Sequence, residues 1–295
     1  MAVIAIINPI SGAGADTTAA ARRVEMLRIE AARRGIAMDI HLTERAGHAR
    51  ELAAQAVTRG VRLVVVWGGD GTINEAGSEL IGTGIPLGII PAGSGNGLAA
   101  VLNVPRRPHE AISVALDAPA RDIDAGVMDG RAFFNIAGIG FDARVARLFN
   151  QRAAGSRGGW PYIRIGIREG CTYGAADYDL ELDGTPVQAR ALLVSFANGR
   201  EYGIGARIAP QALIDDGLLE ATIVEERAVL ARFWDARHLA MGTANRAPRV
   251  RVNQVRTARI TAPGNLEYHV DGEPGVAARV IDVRILPRAL RVKSL

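Results

Sequence analysis

Four strand-like runs, Ala2–Asn8, Met38–Thr43, Arg62–Trp67 and Ile85–Pro91, are each followed by a stretch with helical spacing. The helical stretches run from Asp16 to Arg34, from His48 to Arg59, from about Ile73 and from about Asn96. "RLVVVW" is apolar almost without a break, the pattern of a strand buried on both faces. Continuous apolar strands alternating with helices predict a parallel sheet with helices on both sides.

The rhythm changes near Arg121. "RDIDAGVMDGRAFFNIAG" reads as two strands joined at Asp129-Gly130, and "YDLELDGTPVQARALLVSFA" repeats the pattern around Asp183-Gly184. Asp-Gly between β-rich runs is the strongest short-range hairpin signal. "LLEATIVEE", "VRVNQVRTARITA", "LEYHVDGE" and "ARVIDVRIL" add further short strands, with helical stretches expected near 141–170 and 228–240. The fold class is therefore α/β: an N-terminal parallel-sheet nucleotide domain over residues 1–122, then a mainly antiparallel β domain over 123–286. Residues 287–295 are expected to pack back on the first domain.

The glycines of the first half sit where such sheets bind ligands, at the carboxyl ends of the strands. "NPISGAG" (Asn8, Pro9, Ile10, Ser11, Gly12, then Gly14) follows the first strand, "GGDGTIN" (Gly68–Asn74) the third and "PAGSGN" the fourth. Backbone N–H groups at a strand-to-helix turn make a cradle for phosphate, and glycine lets the backbone approach closely. Asp70 lies among the glycines of the second turn. It cannot itself welcome a phosphate, so its expected partner is a divalent cation that neutralises a nucleotide, with a helix-capping turn as the plainer role.

"GGDGTINE" followed by "PAGSGNGLA" resembles the diacylglycerol kinase and sphingosine kinase family of lipid kinases, whose nucleotide domain has the NAD kinase-like fold. The resemblance continues through "DIDAGVMDGRAFFNIAGIGFDA", "FANGREYGIGARIAPQALIDDGLLEATIV" and "HVDGEP", spanning residues 8 to 274. It implies an ATP- and Mg²⁺-dependent kinase that phosphorylates a hydroxyl of a lipid of the diacylglycerol, sphingoid or ceramide type. ATP is then expected on Asn8, Pro9, Ile10, Ser11, Gly12, Thr43, Gly68, Gly69, Asp70, Gly71, Thr72, Ile73, Asn74, Ser94 and Asn96. Asp70 and Asp124 fall where the family supports the catalytic Mg²⁺ and its waters. Asp216 and the carbonyls of Leu213 and Leu218 fall on a structural Mg²⁺ site, and Glu273 falls on the general base. Such a base is needed because a lipid hydroxyl is a poor nucleophile until its proton begins to leave. Where many bacterial diacylglycerol kinases carry Asp after Asn96, this chain has Gly97, and "PAGSGN" is closer to sphingosine- and ceramide-kinase-like members. Asp142 in "GIGFDA" reads as a helix cap on a tight turn. A NAD kinase-like small-molecule kinase and a non-catalytic lipid- or nucleotide-binding homologue stand as alternatives.

Composition removes several other chemistries. Lys293 is the only lysine, so neither a Walker A loop nor a protein-kinase strand lysine is possible, and the net charge of +4 is carried by arginine. The five histidines show no His-Glu-x-x-His spacing, Ala92 spoils a Gly-x-Ser-x-Gly elbow, and the single Cys171 allows no intrachain disulfide. No nucleic-acid partner is expected; the arginine- and aromatic-rich stretch from Arg144 to Arg168 reads as a surface for anionic lipid headgroups. The first residues reach Asn8-Pro9 too soon for a membrane span and lack a basic leader. A cytoplasmic protein is expected, with peripheral contact at the inner membrane face. The oligomeric state is left open, a homodimer included.

Overall fold

The computed structural model describes residues 2–12, 17–151, 165–166, 168–170, 172–202, 207–226, 238, 243 and 247–295. Gly14, Asp16, Cys171, most of the stretch from Arg144 to Arg168 and most of the helical stretch expected near 228–240 lie outside the described residues. The chain divides into two compact units, Met1–Ile123 with Arg288–Leu295, and Asp124–Pro287.

In the first unit β2 (Met38–Leu42), β1 (Val3–Ile7), β3 (Leu63–Gly68) and β4 (Leu87–Pro91) run parallel in that spatial order. The last strand, β15 (Val280–Lys293), starts in the second unit and ends in the first, where Val292 pairs in parallel with Leu87. Every residue of β1 and β3 is buried, as a sheet covered on both faces requires. The covering helices are α1 (Thr17–Arg33), α2 (His48–Thr58), α3 (Asp70–Leu80), α4 (Gly97–Val101) and α5 (Pro108–Asp117). Helix α3 starts at Asp70, three residues before the spacing of apolar side chains begins to show it. The single helix expected after the fourth strand is two. Asn103 turns left-handed (φ 54°) behind α4, and Pro108 opens α5, where its missing N–H costs nothing. Arg34 ties the ends of α1 and α5 together, 2.7 Å from Asp117 and in contact with Glu30.

The second unit is antiparallel throughout its described pairings. Its strands are the latter part of β5 (Ala120–Met128), then β6 (Arg131–Phe133), β7 (Ile136–Gly140), β8 (Ala176–Leu182), β9 (Thr185–Ala197), β10 (Leu219–Glu225), β11 (Val250–Val255), β12 (Thr257–Thr261), β13 (Leu266–Val270) and β14 (Glu273–Ala277). One helix, α6 (Phe141–Asn150), follows β7. Three hairpins close on Asp-Gly: 129–130, 183–184 and 271–272, with φ positive at both residues of each. That is the primed turn whose twist matches the strands, and it is why Asp-Gly recurs there. The long β9 pairs through its first half with β8 and through its second half with β7 and β10. Alternation then sorts side chains by face. Ala137, Ile139, Val194, Phe196, Tyr268 and Val270 enter one core, while Gly138, Ser195 and His269 look the other way.

Candidate active site

In the order β2-β1-β3-β4 the chain reverses direction between β1 and β3, and open α/β sheets bind ligands at the carboxyl side of such a switch point. The turns after these two strands meet there. Asn8 Nδ2 donates to Thr72 Oγ1 at 2.9 Å, and the Asn8 N–H donates to the Trp67 carbonyl at 2.9 Å. Gly12 has φ +94°, and a Cβ on it would stand 2.8 Å from the Ala92 carbonyl oxygen. Gly69 and Gly93 touch backbone to backbone: a Cβ on Gly93 would lie 2.6 Å from the Gly69 Cα. Three glycine turns from separate strands are thus packed too closely for side chains, and the N-terminus of α3 opens beside them, an end of a helix that favours negative charge.

Asp70 holds two of these turns in register. Its Oδ2 accepts the Asn96 N–H and its Oδ1 the Gly97 N–H, both at 2.7 Å. Asn96 is left-handed (φ 56°) at the N-cap of α4, and its side chain bonds both the N–H and the carbonyl of Gly93 at 2.7 Å. Gly97 has no side chain, so its N–H meets the Asp70 carboxylate with no second carboxylate at that position. Arg23, which sequence patterning does not single out, completes the floor. Its guanidinium donates to the carbonyls of Asn8 (2.8 Å) and Ser11 (2.7 Å) and lies 5.8 Å from the Trp67 ring centre. Its burial lowers its pKa from the usual arginine value. Glu75 likewise escapes sequence reading: it accepts the N–H groups of Gly47 (2.8 Å) and Ala49 (3.2 Å) at the start of α2. Thr43 joins the cluster through its N–H to the Ile7 carbonyl (2.9 Å), and Ser94 is exposed in the third turn.

In the second unit Asp124 is fully buried, and its Oδ2 accepts the Gly217 N–H at 2.6 Å. Its own N–H donates to the Ile214 carbonyl at 2.8 Å, so the "DDG" turn is strapped to β5. Asn198 Nδ2 bridges the carbonyls of Asp124 (2.9 Å) and Phe134 (3.0 Å). Asp216 lies in this acidic corner, and burial, followed by the charges of Asp124 and Asp215, raises its pKa. Glu220, buried at 4% exposure, has its pKa raised by burial and then by Asp216, and its Oε2 has no hydrogen-bond partner. Crowded oxygens of one sign fit a hard cation such as Mg²⁺. No group of three His, Cys, Asp or Glu side chains among the described residues could hold a metal by itself. Glu220 is the acid here that sequence reading passed over, because in "LLEATIV" it looks like an ordinary outward-facing strand residue.

Glu273 is exposed and opens β14 directly after the Asp271-Gly272 turn, opposite Val270. The turn is held from several sides. Asp271 accepts N–H groups from Phe134 (2.8 Å), Asn135 (2.9 Å) and Ile136 (3.1 Å). Asn150 Nδ2 donates to the Gly272 carbonyl and Arg131 Nη1 to the Pro274 carbonyl, each at 3.0 Å. Asp142 bonds its neighbour Ala143 N–H (2.8 Å) at the start of α6, and it also meets Tyr202 and His269.

Two family models cover nearly all of the chain. Residues 2–128 match the diacylglycerol kinase catalytic domain, and residues 135–294 match the YegS C-terminal NAD kinase beta sandwich-like domain. The chain is 30% identical to the "Probable lipid kinase YegS-like" of Citrobacter koseri over 289 residues, covering 96% of this chain and 94% of that protein. A protein of the same description from Klebsiella pneumoniae is 29% identical over 287 residues with the same coverage. A solved structure from Bacillus anthracis (strain Sterne) superimposes with a TM-score of 0.82 at 22% identity, covering 100% of this chain and 95% of that one. A second from the same strain, described as a diacylglycerol kinase, gives 0.74 at 19% identity, covering 100% and 97%. The fold is that of diacylglycerol kinase-like enzymes, an α/β nucleotide domain and an antiparallel β domain of NAD kinase-like type. The chain belongs to the YegS- and diacylglycerol kinase-like family of lipid kinases. Kinase membership implies ATP as the phosphoryl donor. No helix among the described residues is long and apolar enough to cross a membrane.

Proposed function

We propose that this chain transfers the γ-phosphoryl group of ATP to a hydroxyl of a lipid, with Mg²⁺ and with Glu273 as general base. The observation that carries the reading is the junction of glycine turns locked by Asp70. Such a cradle suits a polyphosphate, and it occurs in a family of lipid kinases. Asn8 to Gly12, Thr43, Gly68 to Asn74, Ser94 and Asn96 hold the nucleotide. Asp70, which keeps its two backbone bonds, and Asp124 would support the catalytic Mg²⁺ through its waters, the role that the family resemblance gives to each. Asp216 and the carbonyls of Leu213 and Leu218 would hold a structural Mg²⁺. When bound, Mg²⁺ offsets the negative charge of the transferring phosphoryl group. The Glu273 carboxylate takes the proton of the lipid hydroxyl as its oxygen forms the new bond to phosphorus, while the bond from that phosphorus to the β-phosphate oxygen breaks and leaves ADP. A lipid acceptor agrees with a base on an exposed turn rather than in a closed pocket.

Incubation with γ-labelled ATP, Mg²⁺, NAD and a fractionated lipid extract tests the proposal. Label is expected in the organic phase. Label on NAD instead decides for a NAD kinase-like enzyme, and no label on any lipid class decides for a non-catalytic binding protein.

A further inference from the structure

Behind the turn that carries Glu273 lies a buried pair to which the mechanism above gives no role. His269 and Asp142 are 2% and 5% exposed, and His269 Nε2 lies 3.2 Å from Asp142 Oδ2. On its other side, His269 Nδ1 lies 3.2 Å from the Gly272 nitrogen. A backbone N–H can only donate, so Nδ1 must be the bare nitrogen and Nε2 must carry the proton. The tautomer is thereby fixed, with Asp142 accepting from Nε2–H and Gly272 donating to Nδ1. Asp142 is itself held by the Tyr202 hydroxyl, which donates to Oδ2 at 3.1 Å, and by the Ala143 N–H at Oδ1.

Strand register makes room for the pair. His269 stands opposite Gly138, and a Cβ on Gly138 would come within 2.1 Å of Asp142 Oδ2. The carboxylate therefore occupies the place of a missing side chain, beside the imidazole. Gly272 (φ +86°) immediately precedes Glu273, so an error in the orientation of its peptide passes directly to the proposed base.

We infer that Asp142 and His269 are positioning residues for Glu273. Asp142 sets the tautomer of His269, and His269 Nδ1 fixes the Gly272 N–H and with it the direction in which Glu273 leaves the turn. The logic is that of a carboxylate orienting an imidazole, here aimed at a peptide group rather than at a nucleophile. The inference rests on the reading of Glu273 as the base.

Two near-isosteric variants separate the two bonds. His269→Asn keeps an acceptor near the place of Nδ1, whereas His269→Gln keeps a donor near the place of Nε2 and loses the bond to Gly272. With ATP and a bacterial lipid extract in mixed micelles, His269→Gln is expected to lose roughly 10- to 100-fold in kcat with an unchanged KM for ATP. His269→Asn should lose only a few-fold, although it gives up the contact with Asp142. Equal kcat losses in the two variants, or losses that follow their melting temperatures, overturn the inference. Nitrogen-15 NMR of the unmutated protein gives an independent check: the Nε2–H tautomer is expected, and the Nδ1–H tautomer refutes the assignment. Glu273→Gln is the control for the underlying reading. Turnover surviving that change removes the base and the inference together, while its loss with an unaffected His269→Gln removes the inference alone.

Discussion

Gly138 shows how much one hydrogen atom in place of a methyl can decide. Its missing Cβ leaves the space in which Asp142 Oδ2 sits, and Asp142 cannot move aside without losing Ala143, Tyr202 and His269. Gly138→Ala is expected to destabilise the protein by about 1–3 kcal/mol, the usual range for overpacking a tight interior, read as a lower denaturant midpoint. Arg34 gives a prediction with a pH sign. Its hydrogen bonds hold Asp117 and Glu30 below their ordinary pKa values, against a smaller opposing effect of burial. Both carboxyls thus ionise more readily in the folded chain than in the unfolded one. Their contribution is complete above the ordinary carboxylate range and is lost as pH falls through the depressed folded values. Melting temperature should therefore drop below about pH 4.5 more steeply in the unmutated protein than in Arg34→Met. Parallel curves would show that the cluster adds nothing, the common fate of exposed pairs.

At the scale of elements, the glycine turns behave as one object because Asp70 ties the start of α3 to the start of α4. Asp70→Asn replaces one acceptor by an N–H₂ that must face a backbone N–H. It should weaken ATP binding roughly 10-fold or more, consistent with about 1.5–3 kcal/mol for a hydrogen bond to a charged group. Titration calorimetry with ATP measures it, and unchanged affinity would mean that α4 does not need the strap. This bond is also where sequence reading stopped. "GGDGT" and "PAGSGN" each announce a turn with backbone close to a ligand, and the central parallel strands are plain in their apolar runs, as in "RLVVVW". Nothing in either motif says that the carboxylate of one turn accepts the N–H groups of the other, 26 and 27 residues on. Helix α5 is a different case: Pro108 is a local sign of a helix start, but the expected helix from Asn96 ran past it.

Over the whole molecule, α/β class and antiparallel β class follow from patterns of period and of Asp-Gly punctuation, which are local. The partnerships that build the site are not local. Asn8 with Thr72, Asp124 with Gly217 and Asp142 with His269 are 64, 93 and 127 residues apart, and no spacing rule reaches so far. Arg23 and Glu220 were invisible because each carries an unremarked charge on an ordinary helix or strand. The assignment of Glu273 came from resemblance, since a Glu after Asp-Gly is otherwise the first residue of a hairpin's second strand. The most direct test of the account is therefore the turnover of Glu273→Gln set beside its ATP affinity. A loss of roughly 10²- to 10⁴-fold in kcat, with ATP binding within two-fold of the unmutated protein, is predicted for removal of a general base. Turnover near that of the unmutated enzyme would contradict it.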